Sequence, residues 1–97
     1  MELNLKNYYK MTMESGAVYI YNDGIVKIEP SEDAPYTIKA WQFFAFEPEE
    51  ISKWDGLIKF MDTVERKDPA VGRRVLVYGK DDWRISTKIV KLETENV

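Results

Sequence analysis

Apolar and polar residues alternate from Leu5 to Met13. Leu5, Tyr9, Met11 and Met13 share one face, and Lys6, Tyr8, Lys10 and Thr12 share the other. A period of two sends successive side chains to opposite sides of an extended backbone, so the segment reads as a half-buried strand. Ala17 to Tyr21 and Ile25 to Ile28 are β-branched and aromatic runs around Asn22-Asp23-Gly24. Those three residues accept the backbone of a short hairpin turn. Glu29 to Pro35 holds two prolines and three acids and is expected to be an exposed connection.

Tyr36 to Phe46 reads as a long strand. Tyr36, Ile38, Ala40, Phe44 and Phe46 are expected on one face, with Trp41, Phe43 and Ala45 on the other beyond Thr37 and Lys39. Apolar residues on both faces of its second half predict cover on both sides. Pro48 suits the first position of a helix, and Glu49 and Glu50 complement the positive end of its dipole. Ile51, Trp54, Leu57, Ile58, Met61 and Val64 recur at helical spacing, predicting one amphipathic helix through about Lys67. Asp55–Lys59 and Asp62–Arg66 are oppositely charged i,i+4 pairs on its polar side. Arg73 to Tyr78 and Trp83 to Leu92 are two further strands joined by Gly79-Lys80-Asp81-Asp82. Trp83, Ile85 and Ile89 are expected to oppose Arg84, Ser86 and Lys88.

The predicted order is ββββαββ. It describes an α+β domain with a mainly antiparallel sheet of about six strands and one helix. A strongly bent or barrel-like sheet fits the same pattern. Residues 1–92 form the expected single domain, and 93–97 a frayed tail.

Composition narrows the chemistry. At 97 residues with 44% hydrophobic content, the chain can bury one core. It has no cysteine, which removes disulfides and thiolate zinc sites and points to a reducing, cytoplasmic setting. It has no histidine, the commonest general base and metal ligand. No apolar run approaches the roughly 20 residues of a membrane-spanning helix. Phosphate-binding glycine motifs are absent. Glu47, Glu49 and Glu50 at the helix start, and Asp81-Asp82 in a turn, have the simpler explanations of dipole and turn preference. Lys10 and Lys39 sit on polar strand positions, where lysine guards sheet edges. No catalytic residue, cofactor or metal is expected.

Two features remain. From Glu14 to Glu65 there are eleven acids against four bases; from Arg66 to Lys91, eight bases against three acids. The basic C-terminal hairpin carries Arg73, Arg74, Tyr78, Lys80, Arg84 and Lys88, cations beside an aromatic, a combination suited to single-stranded nucleic acid. The chain as a whole is at −3, which opposes attraction to a polyanion. Secondly, the aromatics outnumber what one sheet face can bury under one helix, leaving Tyr19, Tyr21, Trp41 and Phe43 on a face that needs a partner.

The leading expectation is therefore a non-catalytic protein-binding module, an adaptor, inhibitor or regulatory protein acting through that aromatic face. The size and lack of cofactor chemistry suit a phage-encoded inhibitor. Its partner is another protein or a second copy in a homodimer. The alternative is a nucleic-acid-binding module using the basic hairpin.

Overall fold

The computed structural model describes residues 6–29 and 36–95. Seven strands follow in chain order: β1 (Tyr8–Met13), β2 (Val18–Asn22), β3 (Ile25–Glu29), β4 (Tyr36–Phe46), β5 (Arg74–Gly79), β6 (Trp83–Ile85) and β7 (Ile89–Glu95). Between β4 and β5 lie a 3₁₀ turn, Pro48–Lys53, and one α-helix, α1 (Leu57–Thr63). All pairings are antiparallel, in the order β6-β5-β4-β3-β2-β1-β7. The expected α+β class and antiparallel sheet hold. The hairpin around Asn22-Asp23-Gly24 forms as expected, with Asp23 and Gly24 both left-handed.

β6 and β7 are consecutive in the chain yet occupy opposite edges. Strands lie about 4.8 Å apart, so a flat sheet of this order would separate its edges by roughly 29 Å. The stretch from Ile85 to Ile89 can span only about 14 Å. The sheet therefore curls until its edges approach. Gly72 N–H donates to Ile89 O at 2.8 Å and Ile89 N–H donates to Arg73 O at 2.8 Å, tying the start of β7 to the residues before β5. The single strand expected over 83–92 is thus two strands, one on β5 and one on β1.

Ser86 makes the break. Its N–H donates to Val75 O at 2.9 Å, but Val75 N–H is met by the Ser86 hydroxyl, at 2.9 Å, instead of its carbonyl. That carbonyl accepts from Arg74 Nε at 2.7 Å. The interruption also switches faces: Ile85 packs outside and Ile89 inside, although alternation places them together.

The core has two parts. Inside the curl are Tyr9, Met11, Met13, Tyr19, Val26, Ile38, Phe43, Ala45, Val75, Val77 and Ile89. Outside it, under α1 and the 3₁₀ turn, are Phe44, Phe46, Phe60, Met61, Val64 and Leu76. The second half of β4 is covered on both sides, as its sequence predicts. The face assignment changes at Trp41, however. Ala40 pairs with Gly79 and Gln42 with Tyr78, so Trp41 is an extra residue, a β-bulge. Past it, Phe43 and Ala45 join Ile38 inside, while Phe44 and Phe46 point to the helix. A second register shift lies between β1 and β7, where Thr12 pairs with Lys91 and Met13 with Ile89, leaving Val90 over.

The expected long helix is also interrupted. Gly56 takes a φ of 100°, a backbone that L side chains avoid, and separates the 3₁₀ turn from α1. This resets the helical phase. Leu57, Phe60, Met61 and Val64 face the sheet, and Ile58, assigned to the apolar stripe, is exposed. The Asp55–Lys59 pair forms at 2.9 Å. Arg66, beyond the helix, stacks over Phe44 instead of meeting Asp62. Glu93 to Glu95, expected in a tail, belong to β7 and pair with β1; 96–97 lie outside the described residues, as do Leu5 and most of the 29–35 connection.

The bulge has a testable consequence. Deleting Trp41 leaves Ile38 and Phe43 on the inner face, so the variant is expected to unfold cooperatively within about 2 kcal/mol of the parent. Deleting Lys10 turns Tyr9 outward and should cost at least about 3 kcal/mol. Urea unfolding of the two variants checks this; equal losses would mean Trp41 is not an inserted residue.

Candidate functional site

The three tryptophans of the chain are its only ones, and all are on the surface: Trp41 is 63% exposed, Trp83 41% and Trp54 38%. Four phenylalanines fill the interior instead. Exposed apolar residues scattered singly are ordinary, whereas a contiguous set is not. These form a row. Trp41 leans on Tyr78 with ring centres 6.3 Å apart. Tyr78 pairs with Trp83 across β5 and β6, so both side chains leave the same face. Trp83 in turn stacks on Trp54, 6.1 Å between centres and 27° between planes. Trp54 rests on Phe60 of α1, 5.2 Å away, which anchors the end of the row to the core.

Each ring is positioned by an irregularity. Trp41 projects because the bulge re-aims it. Gly79 sits opposite, and a Cβ there would come within 2.7 Å of Lys39 O, so the close approach of β4 and β5 at this point requires glycine. Trp54 occupies the break between the 3₁₀ turn and α1. Trp83 opens β6 directly after the Asp81-Asp82 turn.

β6 is an edge strand among the described residues, and the outward backbone groups of Trp83 are occupied. Gly79 N–H donates to Asp82 O at 2.8 Å and Ser86 N–H to Val75 O, so by antiparallel alternation the N–H and C=O of Trp83 point away from β5. The Trp83 N–H donates to Asp82 Oδ1 at 2.8 Å, and Arg84 Nη1 donates to Trp83 O at 2.9 Å. Arg84 and Asp82 also pair with each other at 2.7 Å. The local side chains blunt the edge against an added strand, leaving the aromatic faces as the accessible feature.

Trp41 also divides two clefts. One, of about 300 Å³, is lined by Trp41, Lys39, Thr37, Lys80, Asp81 and Asp82. The other, of about 260 Å³, is lined by Trp41, Tyr21, Gln42, Phe43 and Arg66, with Gly24 and Ala40. Arg66 lies 4.6 Å above the Phe44 ring and donates from Nη2 to Met61 O at 3.0 Å. Gln42 Oε1 is buried and meets no hydrogen-bond donor among the described residues.

Of the aromatic face expected from sequence, only Trp41 is freely exposed. Tyr19 and Phe43 are buried inside the curl, and half-buried Tyr21 stacks on Phe43 with centres 4.3 Å apart. The curl that covers them is the reason they need no partner. The basic hairpin residues divide between two ends. Tyr78 is in the aromatic row and Lys80 lines the cleft at its Trp41 end, whereas Arg84, paired with Val77, leaves the other face of β6 and lies 4.8 Å over the Tyr36 ring. Arg74 and Lys88 line a separate depression with Glu14. The six residue steps from Arg74 to Lys80 cover about 20 Å of extended chain. Arg73 is committed to Glu47 at 2.9 Å and to Asp68 O at 2.7 Å. Trp54, Arg66 and Lys39 were not among the expected site residues. A tryptophan set in Lys53-Trp54-Asp55-Gly56, among polar residues and beside a helix-breaking glycine, is the signal that marks Trp54 as exposed.

Burial raises the Tyr9 hydroxyl above its ordinary value of 10.0, against a hydrogen bond from Lys6 N–H and with Asp68 and Tyr21 adding to the rise. Burial raises Tyr19 likewise, with Arg84 opposing. Because the folded state holds these protons more tightly, their contribution is intact below pH 10 and is lost as pH rises through the folded values. The urea midpoint should stay level up to about pH 10 and fall above it, and Tyr19→Phe should flatten the fall. An unchanged midpoint at pH 11 would contradict the burial of these hydroxyls.

No family model, curated protein or solved structure matches the chain, so no relative lends it a function.

Proposed function

We propose that the chain is a non-catalytic protein-binding module of the cytoplasm, an adaptor or inhibitor whose partner seats on the Trp41–Tyr78–Trp83–Trp54 row. The observation that carries this reading is the placement of every tryptophan outside a core rich in phenylalanine. Leaving a large apolar ring wholly exposed forgoes roughly 1.5–3 kcal/mol of burial. Trp41, 63% exposed, forgoes most of it, and Trp83 and Trp54, at 41% and 38%, a part each. Tryptophan and tyrosine are the residues that most often dominate binding energy at protein interfaces.

The surroundings suit a protein. Lys53–Glu50 and Lys59–Asp55 pair at 3.1 and 2.9 Å beside Trp54, and Asp82–Arg84 beside Trp83. An apolar centre inside a rim of mixed charge is the ordinary anatomy of such interfaces. The nucleic-acid reading retains Lys80 and Tyr78 at the row, but Arg84 lies on the other face of β6 over Tyr36 and is paired with Asp82. Strand addition is disfavoured because Trp83's outward backbone groups are taken.

Affinity capture from cell extract, with the parent chain compared to Trp41→Ala and Trp83→Ala, tests the reading. Both variants are expected to keep the parent's circular dichroism and to lose the bound protein, with affinity lower by at least about tenfold. A partner kept by both variants, or one released by nuclease, would overturn it.

A further inference from the structure

The two clefts beside Trp41 hold three cations, Lys39, Lys80 and Arg66, in a chain that is acidic overall. The first holds Lys39 and Lys80, neither of which makes an ion pair among the described residues, together with Asp81 and Asp82. Asp82 is neutralised by Arg84 at 2.7 Å and also accepts from Trp83 N–H. Only Asp81 then offsets the two lysines. The second cleft holds Arg66 and no acid. The charged lining residues, Lys39, Lys80 and Arg66 against Asp81 and Asp82, sum to +1, and Arg84 paired to Asp82 brings the balance around Trp41 to +2 in a chain at −3. The screening length at physiological salt is about 8 Å, so a ligand in the clefts responds to the nearby cations more than to distant acids.

Resting on the protein-binding reading, we infer that the partner presents an extended acidic peptide segment that straddles the Trp41 ring and places a carboxylate in each flanking cleft. Trp41 is the ridge against which an apolar or proline side chain packs. On one side Lys39 and Lys80 face a carboxylate as two point charges. On the other, Arg66 is stacked on Phe44 with one donor spent on Met61 O, leaving guanidinium N–H groups for a two-point bond to a second carboxylate.

The polar clefts explain why the site discriminates. An apolar strip alone binds any greasy surface, whereas cations on both sides of one ring select charge at two positions of the same segment. Arg66 also links the site to the fold, because the guanidinium that would hold the ligand already covers Phe44 of the outer core.

Selection of a random twelve-residue peptide library displayed on phage against the purified chain tests this directly. The expected binders carry Asp or Glu on both sides of an apolar or proline residue. As synthetic peptides they should bind at least tenfold more weakly to Trp41→Ala, to Lys80→Glu and to Arg66→Glu. Lys88→Glu, at the opposite end of β5, should change nothing. Trp41-dependent binders that are neutral or basic would overturn the acidic-segment inference and leave the protein-binding reading standing. Binders indifferent to Trp41→Ala, or no enrichment at all, would overturn both. An oligo-thymidine that displaces nothing from the row is expected; tryptophan-quenching, salt-sensitive binding of that oligonucleotide would overturn the choice of a peptide.

Discussion

A linker of three residues, 86–88, holds the sheet in its shape, because it joins strands that the hydrogen-bond order puts at opposite edges. No flat arrangement satisfies it. The sheet must curl, and the curl encloses Tyr9, Tyr19 and Phe43 while all three indoles lie on the surface. Curvature also needs local concessions. The bulges at Trp41 and Val90 and the serine-stitched break at Ser86 provide them, since an extra residue on one strand bends it and tightens its twist. Trp41 is exposed for the same reason that the sheet can bend.

The helical layer completes the argument from the other side. Phe44, Phe46 and Leu76 would be bare on the convex face of the curl; α1 and the 3₁₀ turn cover them with Phe60, Met61 and Val64. The cover is short because Gly56 breaks it, and Trp54 emerges at that break to meet Trp83. The aromatic row therefore runs along the margin where the helical cover ends and the bare sheet begins. Its continuity is a property of the fold, assembled from β4, β5, β6 and the segment before α1.

Period-two alternation was legible wherever a strand is regular. Met11 and Met13, or Val75 and Val77 against Leu76, fall on the faces that their spacing predicts. The fold class and the central hairpin followed. What alternation cannot carry is a one-residue insertion, because both registers of an apolar run such as Phe43 to Phe46 look equally good on paper. The same holds at Ser86, where a polar residue in an otherwise regular strand marks a side chain replacing a carbonyl in the ladder. Of the site, Trp41 was legible as a surplus aromatic. Tyr19 and Phe43 were placed with it only because a sheet of unknown curvature was counted as having an unprotected face. Trp54 was hidden by a helical pattern that continues across Gly56, and Arg66 by the assumption that the same helix reaches it.

The most direct measurement is fluorine NMR of the chain labelled with 5-fluorotryptophan, each signal assigned by a Trp→Phe substitution and recorded in light and heavy water. Tryptophans on a surface row predict three resonances that all shift with solvent isotope, the Trp41 signal most. A Trp41 resonance that does not respond to solvent would place the ring inside, and would contradict both the bulge and the site built on it.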